Sequence, residues 1–127
     1  MYSVLIVDDS EIIRSVLEKA LRMAKVPLSE IYLADNGKAG LDILENNWID
    51  IVLTDLNMPQ MTGYEMIDKM CSRKDFCSIP IVVISTEGST TRIDELKQKG
   101  VRGYLRKPFT PEMIREMMKQ ILGDWNG

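Results

Sequence analysis

Six side chains in this 127-residue sequence are of types that can do chemistry together: Asp8, Asp9, Asp55, Ser85, Thr86 and Lys107. They fall at four places, each at the end of a short apolar or strand-like run: SVLIV before Asp8–Asp9, IVLT before Asp55, IVVI before Ser85–Thr86 and GYLR before Lys107. One Asp at such a position is most often a helix cap. Four coincident positions point further, because the carboxyl ends of parallel strands share one sheet edge, where loops and helix N-termini converge. Two carboxylates about 4 Å apart repel by roughly 4 kcal/mol at an effective dielectric of 20, which corresponds to about three pKa units. One lysine offsets one such neighbour but not three. Either a carboxyl keeps a proton at neutral pH or a divalent cation binds. Oxygen-only ligands favour Mg²⁺, with Mn²⁺ as the alternative, and an ion that keeps water positions can also take a phosphoryl oxygen. The chemistry indicated is phosphoryl transfer onto a carboxylate. Asp55 would be the nucleophile, Asp8 and Asp9 would hold the ion, Lys107 would neutralise the transferred group and Ser85 would donate a hydrogen bond to it.

The elements that must position these groups can be read along the chain. Ser3–Val7 is a strand run, and Ser10 caps a helix over about Glu11–Ala24 with an apolar stripe of Ile13, Val16, Leu17, Ala20, Leu21 and Ala24. Ile31–Ala34 reads as a second, shorter strand, and Asn36–Gly37 turns into a helix carrying Ala39, Leu41, Leu44 and Trp48. Ile51–Thr54 is the third strand, which the chain leaves through Met58–Pro59 and Gly63. A helix over Gly63–Arg73 places Met66, Ile67 and Met70 on one side. The continuously apolar Ile81–Ser85 suits a central strand buried on both faces. Over Thr90–Lys99 only Ile93 and Leu96 are clearly apolar, which predicts a loosely held helix ended by Gly100. Gly103–Arg106 is the fifth strand, and Thr110–Pro111 opens a last helix with Ile114, Met117, Met118 and Ile121. Five strands alternating with five helices imply a doubly wound α/β domain, a parallel sheet with helices on both faces. Periodicity leaves the strand order open.

Composition narrows the function further. A net charge of −3 gives no footprint for nucleic acid or anionic lipid. No apolar run reaches membrane-spanning length and no signal core follows the N-terminus, so a soluble, cytoplasmic single domain is expected. Histidine is absent, which removes Ser-His-Asp and Cys-His catalysis and most zinc sites. Cys71 and Cys77 lie in no metal-ligand or CxxC spacing and read as two reduced thiols. Most of the nine methionines read as core, with Met113, Met117 and Met118 on the last helix as a possible adaptable partner surface.

Four motifs in order, VDDS, TDLNMPQMTG, VVIST and GYLRKPFT, make the chain from Ser3 to about Leu122 resemble the receiver domain of two-component response regulators, among them the stand-alone chemotaxis regulators. The resemblance implies a flavodoxin-like strand order of 2-1-3-4-5. It implies that Asp55 accepts a phosphoryl group from the phosphohistidine of a sensor histidine kinase, with Asp8, Asp9, Asp55 and the backbone carbonyl of Asn57 around Mg²⁺. Lys107 matches the family lysine, with a cis Lys107–Pro108 bond, and Ser85 the switch hydroxyl. Tyr104 matches the switch aromatic, its ring outward at rest and inward once Ser85 has swung to the phosphoryl group, altering the face made by helix four, strand five and helix five. A monomer acting on a flagellar switch protein or another protein target follows, with a phosphatase as a further partner. The resemblance also places Asn57 and Glu87 at positions that tune phosphoryl lifetime in that family.

Thr86 departs from the alanine of the chemotaxis regulators, and its extra bulk is expected to narrow access to the acyl phosphate. Leu56 stands where those regulators carry an aromatic, with little consequence for the chemistry. A phosphorelay intermediate or a receiver of another pathway is the nearest rival reading. A phosphatase of the haloacid dehalogenase type needs a second Asp two residues past the nucleophile, where this chain has Asn57. A flavin binder needs a phosphate-cradling loop where VDDSEI offers acidic repulsion. A transcription factor needs a DNA-binding module, and only Gly123–Gly127 follow the last helix, so the whole chain reads as one receiver domain without an output domain.

Overall fold

In the computed structural model, residues 1–86 and 88–123 are described. Their elements are β1 (Tyr2–Val7), α1 (Glu11–Met23), β2 (Leu28–Ala34), α2 (Gly37–Asn46), β3 (Ile51–Thr54), α3 (Gly63–Cys71), β4 (Ile81–Ser85), α4 (Thr90–Gln98), β5 (Gly103–Arg106) and α5 (Pro111–Leu122). The strands form one parallel sheet in the order β2-β1-β3-β4-β5. Every helix starts on a polar side chain that accepts a backbone N–H of its own first turn: Ser10, Asn36, Thr62, Ser89 and Thr110. Each such cap is worth about 1 kcal/mol.

Alternation along the strands divides the core in two. Val4, Ile6, Ile51, Leu53, Val82, Ile84 and Leu105 face α1 and α5, meeting Leu17, Leu21, Ile114 and Met118. Leu5, Val7, Val52, Ile81 and Val83 face the other way, toward Leu44 of α2, Met66, Ile67 and Met70 of α3, and Leu96 of α4. The three inner strands β1, β3 and β4 are the ones that carry the long apolar runs. The fold is thus the doubly wound α/β domain expected from the sequence, in the order the resemblance implied.

Several details differ from the sequence expectation. β2 begins at Leu28, three residues early, because Pro27 and Leu28 already lie against Tyr2: the Tyr2 N–H donates to the Pro27 carbonyl at 2.7 Å. α2 ends at Asn46, so Trp48 lies beyond it and is 80% exposed. Val16, placed on the apolar stripe of α1, is exposed, since the stripe that reaches the sheet is Leu17, Ala20 and Leu21. On α4 only Leu96 is buried, as the sparse apolar pattern predicted. Its other ties are polar, a Lys99–Asp68 ion pair at 2.8 Å and Arg92 stacked 5.0 Å from the Tyr64 ring. No helix among the described residues is long and apolar enough to cross a membrane.

Candidate phosphoryl-acceptor site

The site is built where the sheet ladder runs out. The Asp8 N–H still donates to the Ala34 carbonyl at 3.0 Å, Asp55 N–H to the Val7 carbonyl at 2.9 Å, and Lys107 N–H to the Ser85 carbonyl at 2.9 Å. The backbones of three loops are therefore fixed by the strands they leave. One carboxylate oxygen from each of Asp8, Asp9 and Asp55 falls within 4.8 Å of the others. Asp8 is almost fully buried and Asp9 exposed, while Asp55 lies between.

Each buried carboxylate has one oxygen held by backbone. Asp8 Oδ1 accepts the Ser10 N–H at 2.9 Å, and Asp55 Oδ1 accepts the Leu56 N–H at 2.7 Å. Their other oxygens share Lys107, whose Nζ donates to Asp8 Oδ2 at 2.9 Å and lies 3.4 Å from Asp55 Oδ2. The longer contact leaves Asp55 Oδ2 the less engaged of these oxygens. Burial pulls the Lys107 ammonium toward a lower pKa, but its hydrogen bond to Asp8 and the fields of Asp55 and Asp8 outweigh that, so the net shift is upward. The lysine stays charged, and it bridges Asp8 and Asp55 while Asp9 faces solvent.

The donor set fits Mg²⁺. Neighbouring ligands of an octahedral ion with bonds of about 2.0–2.1 Å stand about 3 Å apart. Oxygens within 4.8 Å reach that spacing by small side-chain turns or through a bound water, and all three are hard carboxylates.

The remaining sequence-named groups sit around this centre. Asn57 is exposed in the loop beyond β3, and Thr86 is exposed at the mouth of a cavity of about 300 Å³ shared with Ile13, Val16, Lys107, Pro108 and Phe109. Ser85 is fully buried at the end of β4, and the Lys107–Pro108 bond is cis. Glu87 lies outside the described residues. Tyr104 is half-buried against the core that faces α2, α3 and α4, and its hydroxyl oxygen is shielded from water.

Two contributors escaped sequence reading. Arg14 reaches back from α1 and donates to the Asp8 carbonyl at 2.6 Å. A basic residue one turn into a helix gives no signal of that. Gly63 lets the start of α3 close on β3: a Cβ there would stand 2.1 Å from the Asp55 carbonyl oxygen. TG after the MPQM loop marks the helix start, not this contact.

Residues 4–119 match the family described as response regulator receiver domain. The chain is 32% identical to a chemotaxis protein CheY homolog of Campylobacter jejuni, covering 97% of this chain and 94% of that one. It is 34% identical to the two-component response regulator ORR5 of rice over 94% and 87%. Among solved structures it resembles the chemotaxis response regulator CheY4 of Vibrio cholerae, with 32% identity, a TM-score of 0.84, and coverage of 95% and 98%. A similar fold, at 21% identity and a TM-score of 0.84 over 97% and 98%, is the receiver domain of sensor histidine kinase PA1611 from Pseudomonas aeruginosa, described with a magnesium ion coordinated in its active-site cleft.

Proposed function

The chain belongs to the response regulator receiver domain family, and on that footing we propose that it is a phosphorylation-controlled switch in chemotaxis, taking a phosphoryl group on Asp55 and presenting an altered α4-β5-α5 face to a protein target. It is a receiver of two-component signalling rather than an enzyme in the ordinary sense, and receivers partner with histidine kinases. The observation that carries the reading is the Asp8, Asp9 and Asp55 cluster with Lys107 bridging two of its members.

In the transfer step the less engaged Asp55 Oδ2 attacks the phosphorus of the kinase phosphohistidine. The N–P bond breaks, its electron pair leaves with the imidazole nitrogen, and that nitrogen takes up a proton. Lys107, already between Asp8 and Asp55, follows the charge onto the phosphoryl oxygens. The Leu56 N–H fixes the carboxylate so that one oxygen faces outward. Asp8, Asp9, Asp55 and the Asn57 carbonyl would hold Mg²⁺, which supplies neutralisation of the transferred oxygens. Ser85 then turns toward the phosphoryl group, and the population of Tyr104 and α4 arrangements shifts with it. Attachment of α4 by one buried leucine and polar ties supports that element as the movable one.

The chemotaxis assignment draws on the likeness to the CheY proteins. A comparable likeness to a plant response regulator supports a second reading, a stand-alone receiver of another two-component pathway. The test is intact mass after addition of Mg²⁺ and acetyl phosphate, beside Asp55→Asn. A Mg²⁺-dependent, base-labile gain of one phosphoryl group that the variant lacks is expected; no gain, with a cognate kinase also failing, overturns the site. Capture of a flagellar switch protein only by the phosphorylated chain separates the two pathways.

A further inference from the structure

At the edge of the sheet opposite Asp55 lies a groove of about 350 Å³ between the turn that follows α2 and the connection that precedes β4. Its apolar wall is Leu44, Ile49, Phe76, Ile79 and Pro80, and its lip is Trp48. The indole is 80% exposed, and tryptophan is among the side chains most enriched where partners dock. This ring is also held in place: Trp48 Nε1–H donates to Asp50 Oδ1 at 2.9 Å, while Asp50 Oδ2 accepts the Ser3 N–H at 2.8 Å.

Both ionisable groups lining the groove, Asp50 and Asp75, are carboxylates. Asp75 is engaged by Arg73 through Nε at 3.1 Å and Nη2 at 2.7 Å, and the same guanidinium pairs with Glu45 and stacks 4.1 Å over the Phe76 ring. Asp50 is different. Its two partners are neutral N–H donors, and among the described residues no lysine or arginine pairs with it. A half-buried carboxylate without a cation thus stands beside an open indole face.

From this juxtaposition we propose that the groove binds an arginine side chain presented by a protein partner, the guanidinium stacked on Trp48 and directed at Asp50, its aliphatic stem along Ile79 and Pro80. A planar, weakly hydrated guanidinium suits an aromatic face and a carboxylate at once. The chain's own nearest arginine cannot serve, since Arg73 is held by Glu45 and Asp75. The groove is remote from the acceptor site, so its occupancy and its test are independent of phosphorylation.

The test is amide and indole chemical-shift titration of the isotope-labelled full chain with an acetylated pentapeptide carrying one central arginine among glycine and serine. A second peptide carries citrulline, which keeps the shape and removes the charge. Saturable shifts of the Trp48 indole N–H and of the Asp50 and Ile79 amides are expected, with the citrulline peptide weaker by about fivefold or more. Trp48→Leu, read at the Ile79 amide, should show a similar loss; the exposure of the ring lets that variant fold. Equal binding of the citrulline peptide, no saturable shift with arginine, or an undiminished affinity in Trp48→Leu overturns the proposal. Movement of the same signals with protein concentration alone assigns the groove to a second copy of this chain and overturns it too.

Discussion

Replacing Gly63 by alanine tests whether Asp55, the proposed acceptor, is held by the close approach of α3 to β3. The added Cβ would stand 2.1 Å from the Asp55 carbonyl oxygen, 1.3 Å inside the 3.4 Å at which ordinary contact begins, and 2.9 Å from Leu56 Cα. The three nearest atoms it meets are all backbone, so no rotamer change relieves the overlap; the start of α3 and the end of β3 at Asp55 must part by about 1 Å, both giving way. That movement weakens the Gly63 N–H bond to the Leu56 carbonyl, now 2.9 Å. A lost backbone hydrogen bond contributes about 0.5–1.5 kcal/mol, and overpacking typically costs about 1–3 kcal/mol. The expected destabilisation is about 2–4 kcal/mol. With a urea slope of about 1.5–2 kcal/mol/M, the midpoint of unfolding should fall by about 1–2.7 M. Far-UV circular dichroism reads the midpoint, and Mg²⁺ titration of the folded variant should show weaker binding, because Asp55 moves with its carbonyl. Gly100→Ala is the internal comparison: it meets nothing within 4 Å, yet its φ of +102° strains any side chain, for a cost of about 1 kcal/mol. A Gly63→Ala midpoint within about 0.3 M of the parent, at unchanged slope, would refute the packing argument.

Lys107→Met should destabilise the metal-free chain by about 2–3 kcal/mol near neutral pH, since it leaves Asp8 without its cation. The Lys107 pKa is raised in the folded chain above its ordinary 10.5, so its contribution is complete below pH 10.5 and fades as pH rises through the folded value. The gap between parent and Lys107→Met in urea midpoint should therefore be flat to about pH 10 and narrow above it; a gap that widens at high pH contradicts the assignment. Leu96→Ala, which removes the one buried side chain of α4, should cost about 2–4 kcal/mol and raise amide exchange in α4 more than in β4; uniform exchange across the chain would show that α4 is not separately attached. Thr86→Ala should speed loss of the phosphoryl group and exchange with larger donors, measured by following intact mass after donor removal; unchanged rates would show that Thr86 does not narrow the cavity it borders.

The parts of the fold legible in the sequence were those with a repeated signal. β3 and β4 read as buried strands because of their unbroken IVL and IVVI runs, and α1 read from the Ser10 cap ahead of a helical stripe, whereas the Thr62 and Ser89 caps went unread. β2 was underestimated because Leu28, Ser29 and Glu30 form an edge held by β1, where pairing rather than side-chain pattern makes the strand. Trp48 was misplaced because helical spacing continues past Asn46 in the sequence, while Asn47 turns extended and hydrogen bonding draws the indole to Asp50. The acidic cluster was legible from strand ends. Contributions made by a main-chain group or by the absence of a Cβ, at Leu56 and Gly63, leave no trace in residue type.

Lys107 is separated from Asp55 by 52 residues and from Asp8 by 99. During refolding, β1 and β3 can therefore bring Asp8, Asp9 and Asp55 together before β5, at the far edge of the sheet, supplies any positive charge. In that order of assembly the barrier would be crossed with the anionic cluster uncompensated, and the lysine would dock on the downhill side. Removing Lys107 should then quicken unfolding while leaving the folding limb of the chevron nearly unchanged. Screening salt or Mg²⁺ should quicken folding itself, so that the ion proposed for the Asp8, Asp9 and Asp55 cluster would also act as an early folding partner.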